Sequence, residues 1–109
     1  MQTPLPTPLD RYVAAQNAHD IPGLVACFSP DGHVYDEGKL HFGPGQIWVW
    51  ATETTARYDI TMSPLSLTTD ADRAALVSTV SGNFPGSPLD LTFNFTLEAG
   101  HVRILEITQ

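Results

Sequence analysis

RYVAAQNAHDIPGLVACFSPDGHVYD, residues 11–36, is the stretch around which the rest of the chain is arranged. With Leu9 added, Tyr12, Val13 and Gln16 follow the i, i+3, i+4, i+7 spacing, which predicts one helix face with Tyr12 at its centre. Asn17 to Asp20 ends that helix. Pro22 then suits the first turn of a second, short helix capped near Asp20 or Ile21, with Leu24, Val25 and Phe28 facing inward. Ser29-Pro30-Asp31-Gly32 reads as a turn, because proline fixes one dihedral and glycine permits a positive φ. An extended segment follows and ends at Asp36. A phenol at position 12 and a carboxylate at position 36 are thereby brought to where one apolar cavity can hold both.

Outward from this stretch the period changes from helical to two. Two short strands joined at Gly38 are expected over His33 to Phe42, with Val34 and Asp36 on one face and His33, Tyr35 and Glu37 on the other. Gly43-Pro44-Gly45 opens a third helix, in which Ile47, Trp50, Ala51 and Thr54 share a side and Trp48 points elsewhere. Beyond Tyr58 the pattern is that of three or four strands. Pro64 puts Leu65 and Leu67 out of phase with Ile60 and Met62, the mark of a bulge. From Ala74 to Ser81 both faces are small or apolar, so that strand is covered on both sides. The clearest half-buried strand is Leu89 to Glu98, where Leu91, Phe93 and Phe95 would line the concave side of a bent sheet. Helices first and strands afterwards give an α+β layer.

Composition bounds the function. A length of 109 residues supports one domain, with residues 1 to 8, which hold three prolines, as an extended tail and 9 to 109 as the domain. Five basic against 12 acidic residues give a formal charge of -7 with no basic run, which argues against a nucleic-acid partner. Charged residues make up only 16% of the chain, low enough that part of the surface is expected to be covered, most simply by a second copy. Cys27 stands alone in an apolar run, as a small buried hydrophobe, and a reducing compartment such as the cytoplasm follows. Nothing at the start has the form of a signal peptide, and no apolar run approaches the roughly 20 residues of a membrane span.

The segment RYVAAQNAHDIPGLVACFSPDGHVYDEG resembles the opening of the ketosteroid isomerase and SnoaL-like branch of the nuclear transport factor 2-like superfamily. Gly45 to Trp50 looks like that family's third helix, and VSGNFPGSPLDLTFNF, from Val80, is similar to small bacterial members. The resemblance implies a cone: a strongly curved mixed or antiparallel sheet of about four to six strands with three helices on its concave side. It also implies a homodimer formed through the sheet. In the ketosteroid isomerases the position that Asp36 matches is the general base that shuttles a proton between carbons, and the position that Tyr12 matches donates to the developing enolate. A third position, a protonated aspartic acid in the isomerases, matches Leu91 or Phe93, and neither can donate. Asp90 belongs to the opposite face of its strand.

Two readings stay open for each candidate. Asp36 is either a desolvated base or a hairpin residue bonding turn amides, and Tyr12 is either a donor or core. Gln16, Phe28, Val34, Trp50, Tyr58, Leu91, Phe93 and Phe95 are the candidate ligand-binding wall. His33, Asp36, Glu37 and His41 could suggest a metal, but period-two geometry splits them between faces, so no metal or other cofactor is expected. The expected ligand is a small, mostly apolar molecule, isomerised or cyclised by proton transfer. The alternative is a non-catalytic ligand-binding or dimeric assembly module.

Overall fold

The computed structural model describes residues 5–109. Three helices, α1 (Thr7–Asn17), α2 (Ile21–Ala26) and α3 (Gly43–Tyr58), pack on the inner face of one six-stranded mixed sheet that does not close. The strands are β1 (Phe28–Asp36), β2 (Lys39–Phe42), β3 (Thr61–Asp70), β4 (Arg73–Ser81), β5 (Leu89–Glu98) and β6 (His101–Thr108), in the spatial order β2-β1-β6-β5-β4-β3. All neighbours are antiparallel except β1 and β6. β6 therefore lies inside the sheet, between β1 and β5, and its pairing with β1 is the one parallel pairing among the described residues.

Local chemistry explains the element ends. Pro8 and Pro22 occupy first turns, where a missing N–H leaves nothing unpaired. The Asp20 carboxylate accepts from the Gly23 N–H at 3.0 Å and caps α2. Glu37 and Gly38 both have positive φ, the geometry of a tight two-residue hairpin, and they set Asp36 opposite Lys39. At the end of α1 the Asn17 carboxamide clamps the start of β3, donating to Met62 O at 2.9 Å and accepting from Met62 N at 2.7 Å. The bulge expected near Pro64 is present as a register shift between Pro64 and Ser66.

Two expectations need correction. Ser29 to Gly32 does not turn the chain back; these residues belong to β1, whose pairing with β6 shifts between Phe28 and His33. Gly32 permits the distortion, since a Cβ there would sit 2.9 Å from Ser29 O and 3.0 Å from the Phe28 Cβ. The proline-rich tail stops short of residue 8, because the first helix already begins at Thr7; the tail's first four residues lie outside the described part.

The core gathers on the inner face. Leu9 and Tyr12 from α1, Leu24 from α2, Ile47, Trp50 and Ala51 from α3, and Leu76, Phe95, Val102 and Leu105 from the sheet are all buried. Tyr12 has no exposed surface, and its ring meets Phe95 at 5.4 Å, Phe93 at 6.2 Å and Phe28 at 6.3 Å between centroids.

Candidate functional site

Helix periodicity builds one wall of a hollow. On α3, Trp50, Thr54 and Tyr58 recur every four residues and so lie along one stripe; on α1, Tyr12 and Gln16 do the same. The two stripes meet the inner faces of β4, β5 and β6 around a cavity of about 550 Å³. Val80, Leu89, Leu91, Phe93 and Ile107 supply the sheet side, and Phe84 and Pro85 from the β4–β5 connection form part of the rim. Phe84 stands edge-on to Tyr58, with ring centroids 6.0 Å apart. Gly82 lets that connection approach α3, because any Cβ there would run into the Tyr58 carbonyl.

Asp36 enters at the end of β1. It is half-buried, and its Oδ2 accepts the indole N–H of Trp50 at 3.0 Å. Burial pushes its carboxyl above the ordinary aspartate value. The Trp50 hydrogen bond pulls the other way and the neighbouring Glu37 charge adds to the rise. Tyr12 is pushed up further, first by burial and then by the charge of Asp36, so its phenol stays protonated throughout the neutral range and can only donate as a neutral group. Gln16 is buried, and its Nε2 has no hydrogen-bond partner.

Of the residues singled out from the sequence, Tyr12, Gln16, Asp36, Trp50, Tyr58, Leu91 and Phe93 do line this cavity. Phe28, Val34 and Phe95 do not; they are buried in the packed core, Phe28 and Phe95 against the Tyr12 ring, and Val34 is wholly enclosed. Leu91 and Phe93 supply apolar wall and have no side-chain donor. Asp90 faces out and accepts from Thr79 Oγ1 at 2.9 Å.

Sequence reasoning misses Glu37. Strict alternation sets it opposite Asp36, but its φ of 54° breaks the alternation and carries it onto the same cavity, where Tyr58 Oη donates to Glu37 Oε1 at a long 3.4 Å. The Glu-Gly dipeptide before Lys39 is the available signal, since a two-residue turn of this type requires positive φ at both positions. Phe84 is missed as well; an aromatic ring inside a Gly- and Pro-rich connection is its signal. Among the described residues no group of three or more His, Cys, Asp or Glu side chains is placed to hold a metal ion.

The lining is chemically one-sided. It carries two carboxylates, five aromatic rings and a row of aliphatic side chains, and among the described residues no Lys, Arg or His. Such a lining admits neutral or cationic molecules and repels anions.

Comparisons with known proteins agree with this architecture. The SnoaL-like domain model matches residues 9–106. A candidate polyketide cyclase from Sinorhizobium meliloti is 38% identical, with 95% of each chain covered and a TM-score of 0.92. A Catenulispora acidiphila protein with a ketosteroid isomerase-like fold, solved in complex with trimethylamine, is 17% identical over 97% of this chain and 87% of that one, with a TM-score of 0.86. A candidate polyketide cyclase from Pseudomonas putida is 21% identical over 98% and 92%, with a TM-score of 0.82. Comparison with curated protein sequences yields no match. Over residues 9–106, then, the chain belongs to the SnoaL-like domain family.

Proposed function

We propose that the cavity binds a small apolar ring or carbonyl compound and isomerises or cyclises it by proton transfer, with Asp36 as the base and Tyr12 as the assisting donor. The observation that carries this reading is the pairing of a half-buried carboxylate, held above its ordinary value, with a buried phenol on one apolar wall. In the step envisaged, the Asp36 carboxylate takes a proton from a carbon next to the carbonyl. The C–H electron pair moves toward the carbonyl oxygen, and the Tyr12 O–H donates to that oxygen. The proton returns at another carbon, or the carbanion closes a ring by attacking a second carbonyl of the same molecule and the proton on Asp36 passes to the alkoxide so formed. A general base works best as its pKa approaches the working pH, and burial moves Asp36 upward toward it. The candidate cyclase at 38% identity supports the reaction class.

No cofactor is needed for this chemistry. The free, buried Cys27 fits a reducing, cytoplasmic setting, and no helix among the described residues is long and apolar enough to cross a membrane.

A second reading is favoured by one observation: Tyr35, Leu40, Phe42, Trp48, Val49 and Leu65 are large, apolar and exposed. In it the domain is a non-catalytic ligand-binding or assembly module and its homodimer face is the function. We propose the homodimer in either case, formed through the sheet. Sedimentation showing only an 11.9 kDa species at micromolar concentration removes the dimer.

NMR titration of the Asp36 carboxyl tests the catalytic reading. A midpoint above that of ordinary aspartates, shifting when a cyclic ketone is added, is the expected result. An ordinary midpoint that ignores the ketone removes the acid–base role.

A further inference from the structure

Among the described residues, Gln16 is the one cavity-lining residue whose buried polar atom the fold leaves without a partner. It lies on the apolar face of α1, one helical turn after Tyr12, so both side chains address the same wall. It is only 7% exposed, and its Nε2 makes no hydrogen bond within the protein. An unpaired buried amide is unfavourable, and a methionine or leucine would fill the same space without that penalty. The cavity it lines is walled mostly by apolar side chains, Ile60, Val80 and Leu91 among them, and none of the polar groups there pairs with its Nε2. As placed, Nε2 is enclosed, and a half-turn about its terminal bond exchanges the N–H pair and the carbonyl without backbone movement, so the donor end is free to reorient toward a partner oxygen.

We propose that Gln16 donates a hydrogen bond to the oxygen of a bound ketone, beside the bond from Tyr12, so that the cavity selects a cyclic carbonyl compound over a hydrocarbon of the same shape. This rests on the cavity reading above and narrows its substrate class. Two donors on one helix face then converge on one oxygen, which takes up the charge when a proton leaves the adjacent carbon. The arrangement supplies a second donor in a wall where Leu91 and Phe93 have none to give.

The test uses two probes of nearly equal shape, 1-tetralone and tetralin, titrated into the intact protein and followed by the Trp50 indole N–H resonance. The same titrations are run on Gln16→Leu and Gln16→Met. The wild-type protein is expected to prefer the ketone by roughly tenfold or more, and either variant to reduce that preference by roughly threefold to tenfold, with tetralin affinity kept. The carbonyl stretching frequency of bound 1-tetralone is expected to move toward the free-ketone value in the variants, which a purely structural side chain does not cause. Both variants are expected to melt at or above the wild-type temperature, since each removes an unpaired buried amide. An unchanged ketone preference in a folded variant overturns the proposal alone. Collapse of both variants also overturns it, because the amide is then holding the fold. If neither probe binds the wild-type protein, the cavity reading itself fails, a result distinct from the other two.

Discussion

The inner face of the sheet has a packed end and a hollow end, and the two are written in the same pattern. On β5, Phe95 sits between Ala74 and Leu105 of the neighbouring strands and against the Tyr12 ring. Four residues earlier on the same face, Leu91 borders open space. Tyr12 stands on the boundary, touching Phe95 and lining the cavity at once. The alternation of β5 cannot distinguish these fates. What separates them is the layer above: α1 lies over Phe95, while the Thr54–Tyr58 end of α3 and the Phe84 connection stand off from Leu91 and leave room for a ligand. A half-buried strand pattern therefore reports which way a side chain points, and the helix above decides whether it meets protein.

Truncation at the packed end has the largest expected effect. Phe95→Ala is expected to lose about 3–5 kcal/mol in urea unfolding, the range for a phenylalanine deleted from a closed core. Asn17→Ala comes next, at about 1–3 kcal/mol, because it leaves both the N–H and the carbonyl of Met62 without the partner that ties α1 to β3. Leu91→Ala, at the hollow end, is expected to lose about 1 kcal/mol or less, since the side chain already borders a void. Equal losses for Phe95→Ala and Leu91→Ala would erase the distinction between the two ends.

The smallest effect is pH-dependent and sharpens the comparison at Asp36. Because its folded value is raised, the folded state holds this proton more tightly than the unfolded chain does. Its contribution to stability is fully present below the ordinary aspartate value of about 3.9 and is lost as pH rises through the raised folded value. Asp36→Asn has no such loss. Melting temperatures of wild type and variant should therefore diverge in the variant's favour from acid toward neutral and then run parallel. A constant gap across that range would show that burial does not disturb Asp36.

Much of this is legible in the chain. The three helices, the hairpin at Gly38, the bulge near Pro64 and the inward face of β5 all follow from periodicity and turn residues, which are local. Which apolar side chains border space is not local, and so periodicity alone puts Phe28, Val34 and Phe95 on the ligand wall along with Leu91 and Phe93. Alternation misplaces Glu37 because one left-handed residue reverses the face of a side chain. Ser29 to Gly32 reads as a turn because a proline and a glycine that suit a turn also suit an irregular strand when a neighbour, here β6, keeps it extended.

Because β6 is sandwiched between β1 and β5, the hairpin made early in synthesis has no route into the sheet until residues 101–108 have left the ribosome. Without residues 101–108 the pairings of β1 and of β5 with β6 are both lost, which leaves β1–β2 and β3–β4–β5 as two separate antiparallel sets, each with an unmatched backbone edge. The final strand joins them like a zip fastener. Nonsense or frameshift changes that remove residues 101–108 should therefore be as damaging as changes in the middle of the chain.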